Sequence, residues 1–173
     1  MEEKLYFAYG SNINLDQMAH RCPDATPVGP VMLENYELIF RGMTNHGGVA
    51  TIHPKHGSYV YGLMWKLTPE CEKSLDHYEG YPHLYRKEQV TVFDAKGQEV
   101  SVMVYIMNDR YRSPSIPSDA YYLGIREGFQ QNRLPIKYLE KALDHVRAEI
   151  FGRTKTSQPS RTNKSKNQGK EPR

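Results

Sequence analysis

Glu79 is the candidate functional carboxylate whose position in this sequence is the most unusual. It ends a predicted helix, lies between Tyr78 and Tyr81, and directly precedes Gly80. The negative end of the helix dipole disfavours a carboxylate there, so a functional reason for the acid is expected. A carboxylate whose pKa is raised by burial can accept and return a proton. The alternative is an ordinary exposed glutamate, since charged side chains mostly lie at the surface.

A second candidate site lies in residues 5–12, which read LYFAYGSN. The apolar and aromatic first part predicts a strand covered on both faces. Gly10, Ser11 and Asn12 then predict a tight turn before a helix that Asn14 caps. Backbone N–H groups in such a turn can bind a carboxylate or a developing oxyanion. The alternative is a turn at a strand end that binds no ligand.

Other chemistries have weaker support. Ser11 lacks the Gly-x-Ser-x-Gly pattern, so we expect it to donate hydrogen bonds rather than act as a nucleophile. His53 and His56 stand three residues apart in a predicted turn, without a carboxylate or cysteine at metal-ligand spacing, so no metal is expected. Cys22 and Cys71 form no Cys-x-x-Cys pair and are expected to be reduced, as in a cytoplasmic protein.

The elements that must position these residues include several short strands. The strands predicted from apolar periodicity and β propensity are residues 31–40, 49–53, 59–67, 85–93 and 100–107. A glycine-rich loop at 41–48 and a turn at 54–58 separate the first three. Thr68 predicts the start of the helix that ends at Glu79, and Gly80 predicts its stop.

Two further helices are predicted near the C-terminus. Ser118 caps a helix over residues 119–131, and Pro135 opens another that runs to Phe151 and stops at Gly152. Strands and helices therefore intermix with short hairpins. This order predicts an α+β fold in which a small mixed, partly barrel-like sheet is flanked by helices.

Composition predicts one domain and a tail. The chain has 173 residues, of which 38% are hydrophobic. From Arg153 onward lie seven of the 23 basic residues and one of the 20 acids, so the rest carries a net charge of −3. We expect a folded domain at 1–152 and a disordered basic tail at 153–173. Without a basic face or an apolar spanning run, neither nucleic acid nor membrane is an expected partner.

Five short motifs follow one another along the chain. They are Tyr-Phe-Ala-Tyr-Gly-Ser-Asn at 6–12, Tyr-Val-Tyr-Gly-Leu-Met-Trp at 59–65, Leu-Asp-x-x-Glu-Gly at 75–80, Val-Tyr-Ile-Met at 104–107 and Asn-Arg-Leu-Pro-Ile-Lys-Tyr at 132–138. Each is unspecific by itself. Together and in this order, they resemble the γ-glutamylcyclotransferase family, also called AIG2-like, over about residues 4–145.

The resemblance implies an enzyme with a partly barrel-like mixed sheet and no metal or organic cofactor. The free α-amine of a small γ-glutamyl substrate attacks its own γ-carbonyl, which gives 5-oxoproline and releases the attached amine. The general base of the family maps to Glu79. Its substrate-holding turn maps to Tyr9, Gly10, Ser11 and Asn12.

Three aromatic residues complete the expected substrate-binding set: Tyr6, Tyr85 and Tyr105. The leaving amine stays open between an α-amino acid and another amide, such as an ε-lysine isopeptide or a natural-product intermediate. His83, Arg112 and loop 41–48 are candidates for recognising it. A non-catalytic ligand-binding protein of the same fold is the third alternative, which the presence of Glu79 disfavours. We expect a monomer or a homodimer.

Overall fold

The structure, a computed structural model, describes residues 3–42 and 47–155. Its strands are β1 (Lys4–Ala8), β2 (Thr26–Arg41), β3 (Val49–Leu67), β4 (Tyr85–Asp94) and β5 (Glu99–Met107). Its α-helices are α1 (Leu15–Arg21), α2 (Pro69–Glu79), α3 (Asp119–Gln131) and α4 (Lys137–Lys155). Two short 3₁₀ turns, Ser11–Ile13 and Asp109–Tyr111, follow β1 and β5.

The five strands form a closed barrel in the order β1-β3-β2-β4-β5. Closure occurs between β1 and β5, which run parallel and pair where Tyr6 lies opposite Met103. The other neighbouring strands are antiparallel. The sheet is therefore mixed, and the predicted α+β class with a barrel-like sheet is confirmed, with full closure of the barrel.

The β2–β3 hairpin is longer than the sequence predicts. The predicted turn at 54–58 does not interrupt the strand, because β3 continues through it as an irregular stretch. In the register with β2, Asn35 alone faces residues 55–58, and the Gly57 N–H donates to Asn35 Oδ1 at 3.1 Å. Asn35 and Gly57 both have positive φ, at 61° and 80°. The turn-forming residues therefore build a bulge rather than a break.

Helix α2 has the boundaries that its sequence predicts. Thr68 Oγ1 accepts from the Cys71 N–H at 3.2 Å as the N-cap, and Pro69 occupies the first helical position. Gly80 adopts the left-handed conformation at φ 64° and ends the helix. Leu75 is fully buried and fixes the rotation of the helix on the barrel. Glu79 is thus the last helical residue, as expected.

Helix α3 holds the turn that follows β1. A Cβ on Gly128 would lie 2.8 Å from the Asn14 backbone nitrogen, so the two backbones touch. Asn14 caps α1 by accepting from the Gln17 N–H at 3.0 Å, and its Nδ2 donates to the Gly124 carbonyl at 2.9 Å. The Asn14 cap is therefore confirmed, and it also joins α1 to α3.

Helix α4 extends beyond the predicted stop at Gly152. Its described range runs to Lys155, and Gly152 keeps a negative φ instead of the left-handed conformation in which a glycine commonly ends a helix. The first three residues of the predicted tail are thus helical, and residues 156–173 lie outside the described part of the chain. No helix in residues 3–42 and 47–155 combines the length and hydrophobicity that crossing a bilayer requires.

Gly62 marks the closest approach between β3 and β1. A Cβ there would lie 2.1 Å from the Ala8 carbonyl oxygen and 2.4 Å from the Phe7 ring. We expect Gly62→Ala to lower the free energy of unfolding by about 1–3 kcal/mol, because backbone and ring would both have to move. Urea denaturation measures this.

The matched control is Gly152→Ala in α4, where an added Cβ meets nothing within 4 Å. It should leave stability unchanged or raise it by up to about 1 kcal/mol. Equal effects of the two substitutions would contradict the close approach of β3 to β1.

Candidate active site

Glu79 lies in an open cavity of about 530 Å³, its mouth included. The residue is partly exposed, while its carboxyl is surrounded by aromatic side chains from other elements. The lining residues are Tyr6, Tyr9, Gly10, Ser11, Asn12, Val49, Ala50, Tyr78, Glu79, Leu84, Tyr85, Tyr105 and Tyr121. Every residue of the predicted catalytic and substrate-binding set is among them, although that set comes from four separate segments of the chain.

Asn12 is the polar partner of Glu79. Its Nδ2 donates to Glu79 Oε1 at 3.2 Å and to the Tyr6 hydroxyl at 3.0 Å. Its Oδ1 accepts from Arg21 Nη1 at 2.8 Å, and its backbone carbonyl accepts from Trp65 Nε1 at 3.0 Å. Since a guanidinium only donates, Oδ1 must face Arg21 and the amide protons must face Tyr6 and Glu79. The orientation of the amide is therefore fixed.

Burial raises the pKa of Glu79 from 4.5 to about 7. Two effects oppose burial without cancelling it, namely the positive charge of Arg21 and the hydrogen bond from Asn12. Desolvation favours the neutral acid, whereas a nearby cation and a donated hydrogen bond favour the anion. The balance lets this carboxyl exchange a proton near neutral pH.

Three tyrosine hydroxyls donate their hydrogen bonds to other groups of the protein. Tyr9 donates to the Tyr105 carbonyl, Tyr85 donates to the Ala50 carbonyl at 2.7 Å, and Tyr105 donates to Asp76 Oδ1 at 2.6 Å. A hydroxyl that has donated its proton keeps a lone pair. These oxygens are therefore acceptors, which suits a positively charged group in the cavity.

Two other tyrosine hydroxyls instead accept hydrogen bonds from the protein. Tyr6 accepts from Asn12, and Tyr121 accepts from the Ala50 N–H at 2.9 Å. Each thus keeps its proton for an acceptor in the cavity. Burial also holds the pKa of Tyr6 well above its usual value, and it does the same for Tyr9 and Tyr85. These phenols stay neutral, so Glu79 is the group suited to proton exchange.

The turn after β1 leaves two donors at its start. The Ile13 N–H bonds to the Gly10 carbonyl and the Asn14 N–H to the Ser11 carbonyl, both at 3.1 Å. The N–H groups of Ser11 and Asn12 precede these bonds and have no hydrogen-bond acceptor among the described residues. They can therefore bind an anionic group.

Gly10 is needed for space rather than for a positive φ, because its φ is −113°. A Cβ at this position would lie 3.1 Å from Ala50 Cβ and 3.5 Å from the Tyr121 hydroxyl. The expected close approach of backbone and ligand is thus possible, while the left-handed geometry that glycine permits is not used.

Within residues 3–42 and 47–155, Ser11 contacts no group that could activate it as a nucleophile. Its Oγ lies 3.1 Å from the Tyr78 hydroxyl and accepts from Arg21 Nη1 at 3.2 Å. Neither a phenol nor a guanidinium is a base at neutral pH. This arrangement agrees with a role for Ser11 as a hydrogen-bonding residue.

His83 and Arg112, two candidates for recognising the leaving amine, do not line the cavity. Arg112 donates to the Ile52 carbonyl at 3.2 Å and lies 3.0 Å from His53 Nδ1. The carbonyl of His83 accepts from Asn108 Nδ2 at 2.8 Å, and its side chain does not line the cavity. Of loop 41–48, residues 43–46 lie outside the described part of the chain. Tyr81 is half-exposed, and the Lys87 ammonium lies over its ring in a cation–π contact.

The described residues hold no cluster of three or more His, Cys, Asp and Glu side chains arranged to bind a metal. Cys22 and Cys71 are buried free thiols, and Cys22 Sγ donates to the Cys71 carbonyl at 3.4 Å. Burial raises the pKa of Cys22 to about 12, so this thiol is unreactive.

Sequence reasoning missed two residues that complete the site. Tyr121 belongs to a Tyr-Tyr pair near the start of α3, and which ring faces the barrel depends on how the helix docks. Arg21 could be identified as a basic residue in the last turn of α1, but its partners Ser11 and Asn12 precede the helix. Helical periodicity therefore could not reveal them.

Comparison with known proteins agrees with this geometry. Two curated proteins named gamma-glutamylcyclotransferase, from Homo sapiens and Bos taurus, are each 35% identical over 147 residues, covering 81% of this chain and 77% of theirs. A solved structure named gamma-glutamyl cyclotransferase superposes with a TM-score of 0.74 at 31% identity, covering 95% of this chain and 93% of the other.

The model of one protein family matches residues 6–123, which include the turn after β1, Glu79 and all six tyrosines that line the cavity. Its description is gamma-glutamyl cyclotransferase, AIG2-like. The chain belongs to the gamma-glutamyl cyclotransferase, AIG2-like family.

Proposed function

We propose that this chain is a γ-glutamyl cyclotransferase that converts a γ-glutamyl-amino acid, or a related γ-glutamyl amide, into 5-oxoproline and a free amine. Glu79 carries the proton in both halves of the reaction. The observation that carries this proposal is a carboxyl with a pKa of about 7 in the same cavity as two backbone N–H groups that have no acceptor among the described residues. The named relatives support the reaction class.

The first step needs a base for the α-ammonium of the substrate. The reference pKa of an α-amine is about 7.8, so an ordinary glutamate near 4.3 would be too weak by roughly 3.5 units. The raised pKa of Glu79 removes most of that difference. The carboxylate takes a proton from the ammonium, and the freed amine becomes the nucleophile.

The second step closes the ring. The amine nitrogen bonds to the γ-carbonyl carbon, and the carbonyl π electrons move to the oxygen. When this tetrahedral intermediate collapses, the bond between the carbon and the leaving nitrogen breaks as the leaving nitrogen takes the proton from Glu79. The Glu79 carboxylate then takes the second proton from the ring nitrogen and passes it to the released amine, which leaves as an ammonium, so the carboxylate is restored. The substrate supplies its own nucleophile, so the protein needs none, and formation of a five-membered ring gives a high effective molarity.

The polarity of the cavity suits a γ-glutamyl group. The oxygens of Tyr9 and Tyr85 can accept from the ammonium beside Glu79. The N–H groups of Ser11 and Asn12 can bind the anionic end or the developing oxyanion. The cavity thus offers both donors and acceptors to a γ-glutamyl group, which would orient the substrate for closure.

We further propose that the enzyme acts in the cytoplasm on small molecules, as a monomer or a homodimer. Two buried free thiols fit a reducing compartment. The net charge of −3 before Arg153 favours a small-molecule partner over nucleic acid. An assay of 5-oxoproline and amine release over a panel of γ-glutamyl dipeptides, isopeptides and other amides would test the function and identify the leaving amine.

Glu79→Gln is the direct test of the proton-transfer role. The amide keeps the shape of the side chain but cannot take a proton, so kcat should fall by at least ~10²–10⁴-fold. Substrate affinity should persist, because the amide oxygen can still accept from the ammonium. Steady-state kinetics and a direct binding measurement check both expectations. Near-normal kcat on a confirmed substrate would place the base elsewhere.

The pKa of Glu79 also predicts the dependence of kcat/KM on pH. The free enzyme must hold the carboxylate, so kcat/KM should rise with pH through about 7. If the base were instead a glutamate with an ordinary pKa, the acidic limb would lie at about 4.3. Rate measurements at constant ionic strength separate these two outcomes.

The raised pKa of Glu79 should also make the folding stability depend on pH. Because the folded pKa lies above the ordinary 4.5, the contribution of Glu79 is fully present below about 4.5 and is lost as pH rises through about 7. Glu79→Gln lacks this dependence. The Tm of the variant relative to wild type should therefore increase between about pH 5 and about pH 8, and a constant difference would contradict burial of the charge.

Gly10 should show a graded effect of side-chain size. Its added Cβ would press on Ala50, and the further methyls of valine would enter the cavity near Tyr121. Gly10→Ala should keep more activity than Gly10→Val, for which kcat/KM should fall by at least about tenfold while the protein still folds. Normal turnover by Gly10→Val would show that no ligand approaches this turn.

A further inference from the structure

We propose that Arg21 is a positioning residue of this site. Its guanidinium holds the side-chain amide of Asn12 in the one orientation that donates a hydrogen bond to Glu79. The inference rests on the proposed function of Glu79, but it concerns a residue outside the cavity wall. Arg21 would act through Asn12 and through its charge, without touching the substrate.

The two terminal nitrogens of the Arg21 guanidinium donate hydrogen bonds to three different residues. Nη1 donates to Asn12 Oδ1 at 2.8 Å and to Ser11 Oγ at 3.2 Å, and Nη2 donates to Gln17 Oε1 at 2.8 Å. The guanidinium also lies 3.9 Å from the ring centroid of Tyr78. A planar group with these four contacts has little freedom to move, so it can act as a fixed reference for the amide.

The orientation matters because an amide has a donor end and an acceptor end. With Oδ1 on Arg21, both protons of Nδ2 are used, one on Tyr6 and one on Glu79. In the flipped orientation Oδ1 would face the carboxylate oxygen, and the two would repel unless Glu79 were protonated. Without Arg21, the flipped amide and the neutral acid would favour each other.

The charge of Arg21 acts in the same direction. The groups that face Glu79 from the surrounding elements are Tyr6, Tyr9, Tyr85, Tyr105, Tyr121 and Arg21. Burial keeps the tyrosines neutral, so Arg21 is the cation among them. On the helix of Glu79 itself, Asp76 pairs with Lys87 at 2.8 Å. Arg21 therefore limits how far burial raises the pKa of Glu79.

The first test is Arg21→Met, which keeps an unbranched side chain but removes the fork and the charge. We expect kcat to fall by about 10- to 100-fold, with little change in KM, because Arg21 does not touch the substrate. The acidic limb of kcat/KM should move to higher pH. A wild-type kcat together with a wild-type pH profile would overturn the proposal.

Arg86→Met is the matched control. Arg86 donates to Glu88 Oε1 at 2.8 Å and to the Met107 carbonyl at 3.0 Å, and it does not line the cavity. Its loss should lower Tm without moving the pH profile. If Arg86→Met shifted the pH profile of kcat/KM as much as Arg21→Met, the shift would reflect general destabilisation of the fold, and the proposal would fail.

A double-mutant cycle tests whether Arg21 acts through Asn12. In the Asn12→Ala background there is no amide to orient, so Arg21→Met should cost at most about twofold in kcat beyond Asn12→Ala. Full additivity of the two losses would overturn the proposal. Arg21→Lys keeps the charge without the fork, so it should lower kcat while holding the acidic limb near its wild-type position. If Arg21→Met does not fold, Arg21→Lys carries the same cycle.

The proposed function and this inference fail in different ways. If Glu79→Gln turns over normally, the role of Glu79 is wrong whatever Arg21 does. If Glu79→Gln is inactive while the Arg21 variants have a wild-type kcat and pH profile, the proton-transfer role stands and the positioning role of Arg21 is overturned.

Discussion

The free-energy cost of keeping one carboxylate away from water governs the arrangement of this molecule around Glu79. Removing a charge from water is unfavourable unless hydrogen bonds and opposite charges replace hydration. Here one amide donor and one nearby guanidinium provide part of that replacement, and the pKa settles near 7. The partial negative charge at the C-terminus of α2 further disfavours the Glu79 carboxylate. The site thus gives up some stability and gains a carboxyl that exchanges protons near neutral pH.

The closed barrel supplies the rigidity that this balance requires. Tyr6, Tyr85 and Tyr105 come from three of its strands, and each hydroxyl is held by a fixed hydrogen-bond partner. Because β1 pairs with β5 to close the sheet, each strand that carries one of these tyrosines has a neighbouring strand on both sides. The turn after β1 is held against α3 by contacts of Gly128 and Asn14. Donors, acceptors and carboxyl therefore keep their relative positions without a ligand.

Local signals in the sequence predicted the helix boundaries around the site well and other features less well. Thr68, Asn14 and Gly80 act on their own neighbouring backbone, so their effects can be derived from the residues alone. The predicted stop at Gly152 was wrong, because this glycine keeps a negative φ and does not form a left-handed helix cap. The predicted turn at 54–58 was also wrong, because pairing with β2 overrides weak local preferences.

The sequence by itself determined the α+β class, the ends of α2, and, through its motifs, Glu79 and the turn that faces it. Only the tertiary structure decided how the barrel closes, which hydroxyls donate, and that Tyr121 and Arg21 belong to the site. The physical reason is distance along the chain. The Tyr121 hydroxyl meets the backbone of Ala50, a residue 71 positions away, and no local pattern encodes such a contact. Whether a carboxyl is buried depends on the sum of contacts of that kind.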